Sequence, residues 1–185
     1  MYLKKQDFYY GAILRAILEY NPDSSMAMVE RNDDYSNVYR IETNKSKKSC
    51  YCLFKHGNEI KNNPNSWQFK FSPKELDFLN QCHSSKTSAF IYFLCRRENL
   101  THSEIAVMNL DEYIKINKPS LTIGIVEKKR DFTVARDKSP INDILLPRNR
   151  IEKDFDTLIE DIIKISNGYY CDHCVFRLNQ LALNL

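Results

Sequence analysis

Gln68-Phe69-Lys70 puts an amide and an amine two residues apart, and Cys171-Asp172-His173-Cys174 puts two thiols three residues apart. On a strand, residues i and i+2 share a face, so Gln68 and Lys70 project together, away from the aromatic side chains of Trp67, Phe69 and Phe71. An acid or amide followed at i+2 by a lysine can hold Mg²⁺ and activate a water, provided a neighbouring carboxylate supplies the main metal bond. The carboxylates within reach in sequence are Glu19 on a helix, Asp33 and Asp34 in a polar turn, and Glu42 on a strand. The strand directly before, Cys50–Lys55, has no Asp or Glu on either face. Cys171 and Cys174 could share a tetrahedral zinc, but such a site takes four ligands. Cys82 and His83 are adjacent and seldom reach one ion together, while Cys50 and Cys52 suit the packed face of a strand. Zinc is therefore not expected, and no βαβ pattern precedes the pair as a redox role would require. Four glycines leave no material for a phosphate-cradling glycine loop, and GxSxG and HExxH are absent.

Charge offers a second kind of chemistry. Between Arg40 and Glu75 stand eight bases (Arg40, Lys45, Lys47, Lys48, Lys55, Lys61, Lys70, Lys74) against three acids (Glu42, Glu59, Glu75). That is a net +5 in a chain of formal charge +3, which leaves −2 for the remainder. Lysines on hairpin tips can neutralise phosphates, and Tyr39, Tyr51 or Trp67 could stack on bases. Lys45, Lys47, Lys48, Lys55, Lys61 and Lys70 form this candidate nucleic-acid surface, with Lys128, Lys129 and Arg130 on a second basic tip. The same lysines would equally protect sheet edges from aggregation. Arg96-Arg97, just past an apolar strand, stands where ligand sites in mixed sheets often lie. His56 and His102 have no partner at a useful spacing and read as surface residues.

The elements that must position these groups centre on residues 66–96. Trp67, Phe69 and Phe71 alternate with Gln68 and Lys70, giving a strand covered on one face. Ser72-Pro73-Lys74-Glu75 starts a helix: the serine caps, the proline takes the first turn, and the glutamate reaches back. Ala89 to Cys95 is nearly all apolar, the pattern of a strand buried on both faces. Before this unit, residues 5–20 read as a helix with Phe8, Ala12, Ile13, Ala16, Ile17 and Tyr20 on its apolar stripe. A short strand over Met26–Val29 and a hairpin of Val38–Thr43 with Ser49–Lys55 follow, and Gly57–Asn65 reads as a polar loop. Later come strands at Glu104–Asn109, Leu121–Val126 and Phe132–Ala135, and a short helix or turn at Leu110–Asn117. A short helix is read over Ile141–Leu146 and a longer one over 150–166. The apolar tail, Tyr169–Leu185, should dock on its own core or on a second subunit.

The order helix, three strands, helix, strand across residues 5–96 is similar to the PD-(D/E)XK nuclease core. That resemblance implies Gln68 and Lys70 as site residues, Mg²⁺ as cofactor, and Glu19, Asp33, Asp34 or Glu42 as the metal-binding acids. The absent carboxylate on Cys50–Lys55 is the departure from the pattern.

At 185 residues with 12% aromatics, the chain suits one well-buried α+β domain. Its expected form is an N-terminal helix, a mixed or antiparallel sheet of six or seven strands, and a helical C-terminus. No apolar run approaches the roughly 20 residues that span a bilayer. Arg15 and Glu19 interrupt what would be a signal peptide, so a cytoplasmic protein with reduced cysteines is expected. Scarce Gly with abundant Lys, Asn, Ile and Tyr suggests an A+T-rich coding genome, as in low-GC bacteria and their phages. The expected function is binding without catalysis and without a cofactor, the partner being nucleic acid or a protein that handles it. A metal-dependent nuclease and a protein-interaction homodimer joined through the tail are the alternatives.

Overall fold

The computed structural model describes residues 2–28, 37–43, 49–98, 100–125, 130–136 and 139–166, and these form an α+β fold. The tail expected to dock lies outside them. Helix α1 (Lys5–Tyr20) begins with the Lys4 N–H donating to Asp7 Oδ2 at 2.7 Å and ends at Asn21. Its buried side is Tyr9, Ile13 and Ile17, with Tyr10 and Leu14 packed alongside. Phe8, placed on the apolar stripe by sequence, is 63% exposed. The stripe is turned because Tyr9 and Tyr10 face the aromatic and imidazole rings of the sheet.

Strands β1 (Ser24–Met28), β2 (Val38–Thr43) and β3 (Ser49–Ile60) run antiparallel in sequence order. The stretch read as a polar loop is instead the end of β3, a tight turn at Lys61-Asn62, and the start of β4 (Asn63–Lys70). Four strands, not three, therefore separate α1 from α2 (Pro73–Ser84). The α2 start has the expected capping box: Ser72 Oγ accepts from the Glu75 N–H at 3.3 Å, and Glu75 Oε2 accepts from the Ser72 N–H at 2.7 Å. Strand β5 (Ala89–Arg96) lies parallel to β3 and antiparallel to β6 (Glu104–Asn109). As its apolar run predicts, every residue from Ala89 to Cys95 is buried. Asn109 then caps α3 (Leu110–Ile116), its Oδ1 accepting from the Glu112 N–H at 2.8 Å.

Strands β7 (Ser120–Ile125), β8 (Asp131–Arg136) and β9 (Ser139–Pro147) extend antiparallel from β4. Residues 141–146, expected as a helix, belong to β9. Backbone pairing with β8, through Phe132↔Leu146 and Val134↔Ile141, prevails over their local helical spacing. The long helix expected over 150–166 divides into a 3-10 helix (Arg148–Glu152) and α4 (Phe155–Ser166), where Asp154 Oδ1 accepts from the Thr157 N–H at 2.8 Å. Among the described residues there are four α-helices and nine strands in one mixed sheet, more strands than the sequence pattern reveals.

The sheet has two arms. One is β1-β2-β3-β5-β6; the other, β4-β7-β8-β9, joins it at the far end of β3. Between the arms, closed by α2 and α3, lies a core that includes Leu53, Trp67, Phe69, Phe93, Met108, Tyr113, Ile123 and Phe132. The outer face of the first arm carries Cys50, Cys52, Phe54, Phe90 and Tyr92 against Tyr9, Ile13, Phe155 and Ile159 of α1 and α4. Each fully buried Phe or Ile contributes about 1.5–3 kcal/mol of burial, so both layers hold β3 and β5 firmly. No helix among the described residues is long and apolar enough to cross a membrane.

Candidate functional site

Strand β3 belongs to both arms, and the change of neighbour along it opens a groove. On one side it keeps β5 from Tyr51↔Ala89 to Asn58↔Arg96. On the other, the β2 ladder ends at Leu53, with a last bond from the Phe54 N–H to the Asn37 carbonyl at 2.8 Å, and β4 pairs only from Glu59. In the fork between lies a groove of about 540 Å³ lined by Tyr10, Lys55 to Ile60, Gln68 and Lys70. Gly57 permits the close approach of β4. A Cβ there would stand 2.9 Å from Phe69 Cε1 and 3.0 Å from the Gln68 carbonyl oxygen.

Alternation along β3 sends successive side chains to opposite faces. On the α2 face, Lys55 Nζ binds both Glu75 oxygens, at 2.9 and 2.8 Å, and Asn37 Nδ2 donates to Glu75 Oε1 at 2.7 Å. Burial alone would push the Glu75 carboxyl up. The Lys55 charge and the hydrogen bonds from Lys55, the Ser72 N–H and Asn37 outweigh it and hold the carboxyl below its ordinary range. Two residues beyond Gly57, Glu59 Oε1 accepts from Arg97 Nη1 at 3.1 Å and from the Asn65 N–H at 2.7 Å. The Arg97 guanidinium lies 5.5 Å from the centre of the Trp67 ring. Both acids on this face are thus matched by cations.

The α1 face is different. His56 meets the rings of Tyr9 and Tyr10, at 4.9 and 5.8 Å between centroids. Arg96, the last residue of β5, donates from Nη2 to Asn58 Oδ1 and lies 5.1 Å above the Tyr9 ring. Its Nε is buried and has no hydrogen-bond partner among the described residues. Gln68 and Lys70 stand exposed on the β4 wall, and no ion pair engages Lys70 among the described residues. Burial, with the Arg96 and Lys55 charges adding to it, holds His56 below the ordinary histidine range. Burial and the charges of Glu75 and Asp7 push the Tyr10 phenol up to about 12, so it remains a donor. This face gathers two permanent cations, a neutral imidazole, two amides and two phenols.

The sequence-derived candidates fall unevenly around this groove. Gln68 and Lys70 come together on its wall as their spacing requires. Lys55, assigned to the basic surface, is turned inward with only 13% of its side chain exposed, and its ammonium is held by Glu75. Lys61 is exposed at the turn joining β3 to β4. Arg130 directly precedes β8, two strands from β4, and does not line the groove. Glu19 sits near the C-terminal end of α1, nine residues or about 13 Å along the helix from Tyr10. Glu42 pairs with Arg40 at 2.6 Å and stands opposite Ser49, roughly 20 Å along β3 from Lys55. Neither acid lines the groove, and among the described residues no three His, Cys, Asp or Glu side chains gather as a metal site. Asp33, Asp34, Lys45, Lys47, Lys48, Lys128, Lys129, Cys171 and Cys174 lie outside the described residues. Cys50 and Cys52 are buried against α1 and α4, as their strand spacing suggested.

Sequence reasoning missed Tyr10, His56 and Asn58. The signal was present: His56 and Asn58 continue the face of Cys52 and Phe54, so they had to meet α1. No protein-family model matches the chain, and neither a curated protein nor a solved structure resembles it to a significant degree.

Proposed function

We propose that this chain is a cytoplasmic nucleic-acid-binding protein that works by binding rather than catalysis, and that it meets phosphate at the fork of β3. The observation that carries the reading is the segregation of charge across the strand. Glu59 and Glu75 are paired on the α2 face, while among the described residues Lys70 and Arg96 have no carboxylate partner on the α1 face. An anion entering from that side meets Lys70, with Tyr10 and the Gln68 amide lining the same groove and the Arg96 charge held beside Asn58. Lys61, exposed at the adjoining turn, extends the positive edge.

The test is binding of labelled DNA and RNA at about 50 and 200 mM salt, because neutralised phosphates release counterions and affinity falls as salt rises. Lys70→Glu should weaken binding about tenfold or more at the lower salt and flatten the salt dependence. Its exposed position means the fold should be unchanged. Absence of binding at low salt would sink the reading. Cleavage in Mg²⁺ or Mn²⁺ that disappears in Lys70→Ala would replace it with the nuclease alternative.

A further inference from the structure

Resting on the nucleic-acid reading of the same groove, we infer that the fork admits unpaired nucleotides, so that its ligand is a single strand or a splayed strand end and not an intact duplex. The first ground is depth. His56 is half-buried beneath Tyr9 and Tyr10, and Arg96 is half-buried beside Asn58. His56 thus lies at the bottom of a recess, with Gln68 and Lys70 on its wall. Duplex phosphates lie on a convex surface and are met by projecting helices, strands or loops. They cannot descend between α1 and β4. The second ground is size: about 540 Å³ falls within the roughly 300–1,000 Å³ typical of small-ligand sites. That is room for a nucleotide or two.

The third ground is the make-up of the walls. Tyr10 on the α1 side gives a base an aromatic neighbour, and Gln68 on the opposite wall has an amide that both donates and accepts. Lys70 beside it would hold the phosphate of the same nucleotide, with the Arg96 charge behind it, on Asn58. Cationic track, aromatic platform and amide are the combination by which unpaired strands are held with little regard to sequence.

The experiment compares a single strand, a blunt duplex and a duplex with a single-stranded flap, all matched in length, by fluorescence anisotropy on the full chain. The single strand and the flap should bind about tenfold tighter than the blunt duplex. Tyr10→Leu should remove most of that preference and Tyr10→Phe should keep it. Because Tyr10 also packs near Phe54, Gln68→Ala serves as a second variant at an exposed position and should weaken the single strand more than the duplex. A blunt duplex bound as tightly as the single strand, with both weakened by Lys70→Glu, would overturn this inference and leave the phosphate reading standing. No binding of any of the three would overturn both.

Discussion

On the α2 face of β3, Lys55 and Glu59 each find an opposite charge, at 2.8 and 3.1 Å; on the α1 face, one residue along, His56 and Asn58 meet aromatic rings and a further cation. The two faces share a backbone, a neighbouring strand and a fork, so local conformation does not separate them. What separates them is pairing. A buried ammonium must be matched by a carboxylate or the fold bears the cost of its lost hydration, whereas the exposed Lys70 keeps water and can be left unmatched. The paired face therefore holds the two arms of the sheet together, and the unpaired face is free to receive an anion.

Breaking the paired face should have the largest effect. Glu75→Ala leaves the Lys55 ammonium, with 13% of its side chain exposed, without its carboxylate, leaves the Ser72 N–H without its acceptor, and leaves Asn37 Nδ2 with the Phe54 carbonyl alone. Removing one partner of a buried pair costs about 3–5 kcal/mol, read as a lower urea midpoint. Replacing both charges at once, Lys55→Met with Glu75→Leu, should recover much of that loss, because two apolar side chains carry no unmet hydration. The same pair predicts acid sensitivity. The Glu75 pKa is lowered in the fold, so its contribution is full above the ordinary carboxylate value of about 4.3 and is lost as pH falls through the lowered value. A cost for Glu75→Ala no larger than that of a surface pair would erase the distinction between the faces.

A smaller loss should follow from Gly57→Ala, which tests the fork itself. The new methyl would meet the Phe69 ring at 2.9 Å and the Gln68 carbonyl at 3.0 Å, and a backbone oxygen cannot swing aside. Overpacking of this kind costs about 1–3 kcal/mol. The strain should push β4 away and carry Gln68 and Lys70 with it. Stability and nucleic-acid affinity should fall together, whereas Lys70→Glu should lower affinity alone.

Much of this arrangement was legible in local pattern. The capping box at Ser72 and Glu75, the alternation of Trp67, Phe69 and Phe71 with Gln68 and Lys70, and the apolar run of β5 all rest on spacings of two to four residues. The missed features depend on distant partners. Glu75 reads as a helix cap, and nothing in its neighbourhood says that Lys55, twenty residues earlier, also binds it. The end of β3 and the start of β4 read as loop because the one lines a groove with polar residues and the other is exposed Asn63-Pro64, so neither face shows the apolar repeat of a strand. Residues 141–146 have helical spacing, and only their pairing with β8 makes them a strand. The fold's interior was written in short-range pattern; its fork was written in contacts between arms.

The smallest effect, and the one that sharpens the comparison most, concerns His56. Tyr9, Tyr10 and Asp7 face or act on this region from α1, Lys55 from its own strand, Lys70 from β4 and Arg96 from β5. Burial and the Arg96 and Lys55 charges favour the neutral ring, so its pKa in the free protein lies below the unfolded value of about 6.5. The unfolded chain then binds more protons between those two values, and stability of the free protein should fall as pH drops through that window. A bound phosphate reverses the local sign. Its negative charge favours the imidazolium, so binding takes up a proton and affinity should rise over the same window. Thermal melts and anisotropy titrations should therefore run in opposite directions with pH, and both slopes should shrink in His56→Gln. Affinity that stays flat with pH while stability still falls would place the phosphate away from His56, on the β4 wall alone.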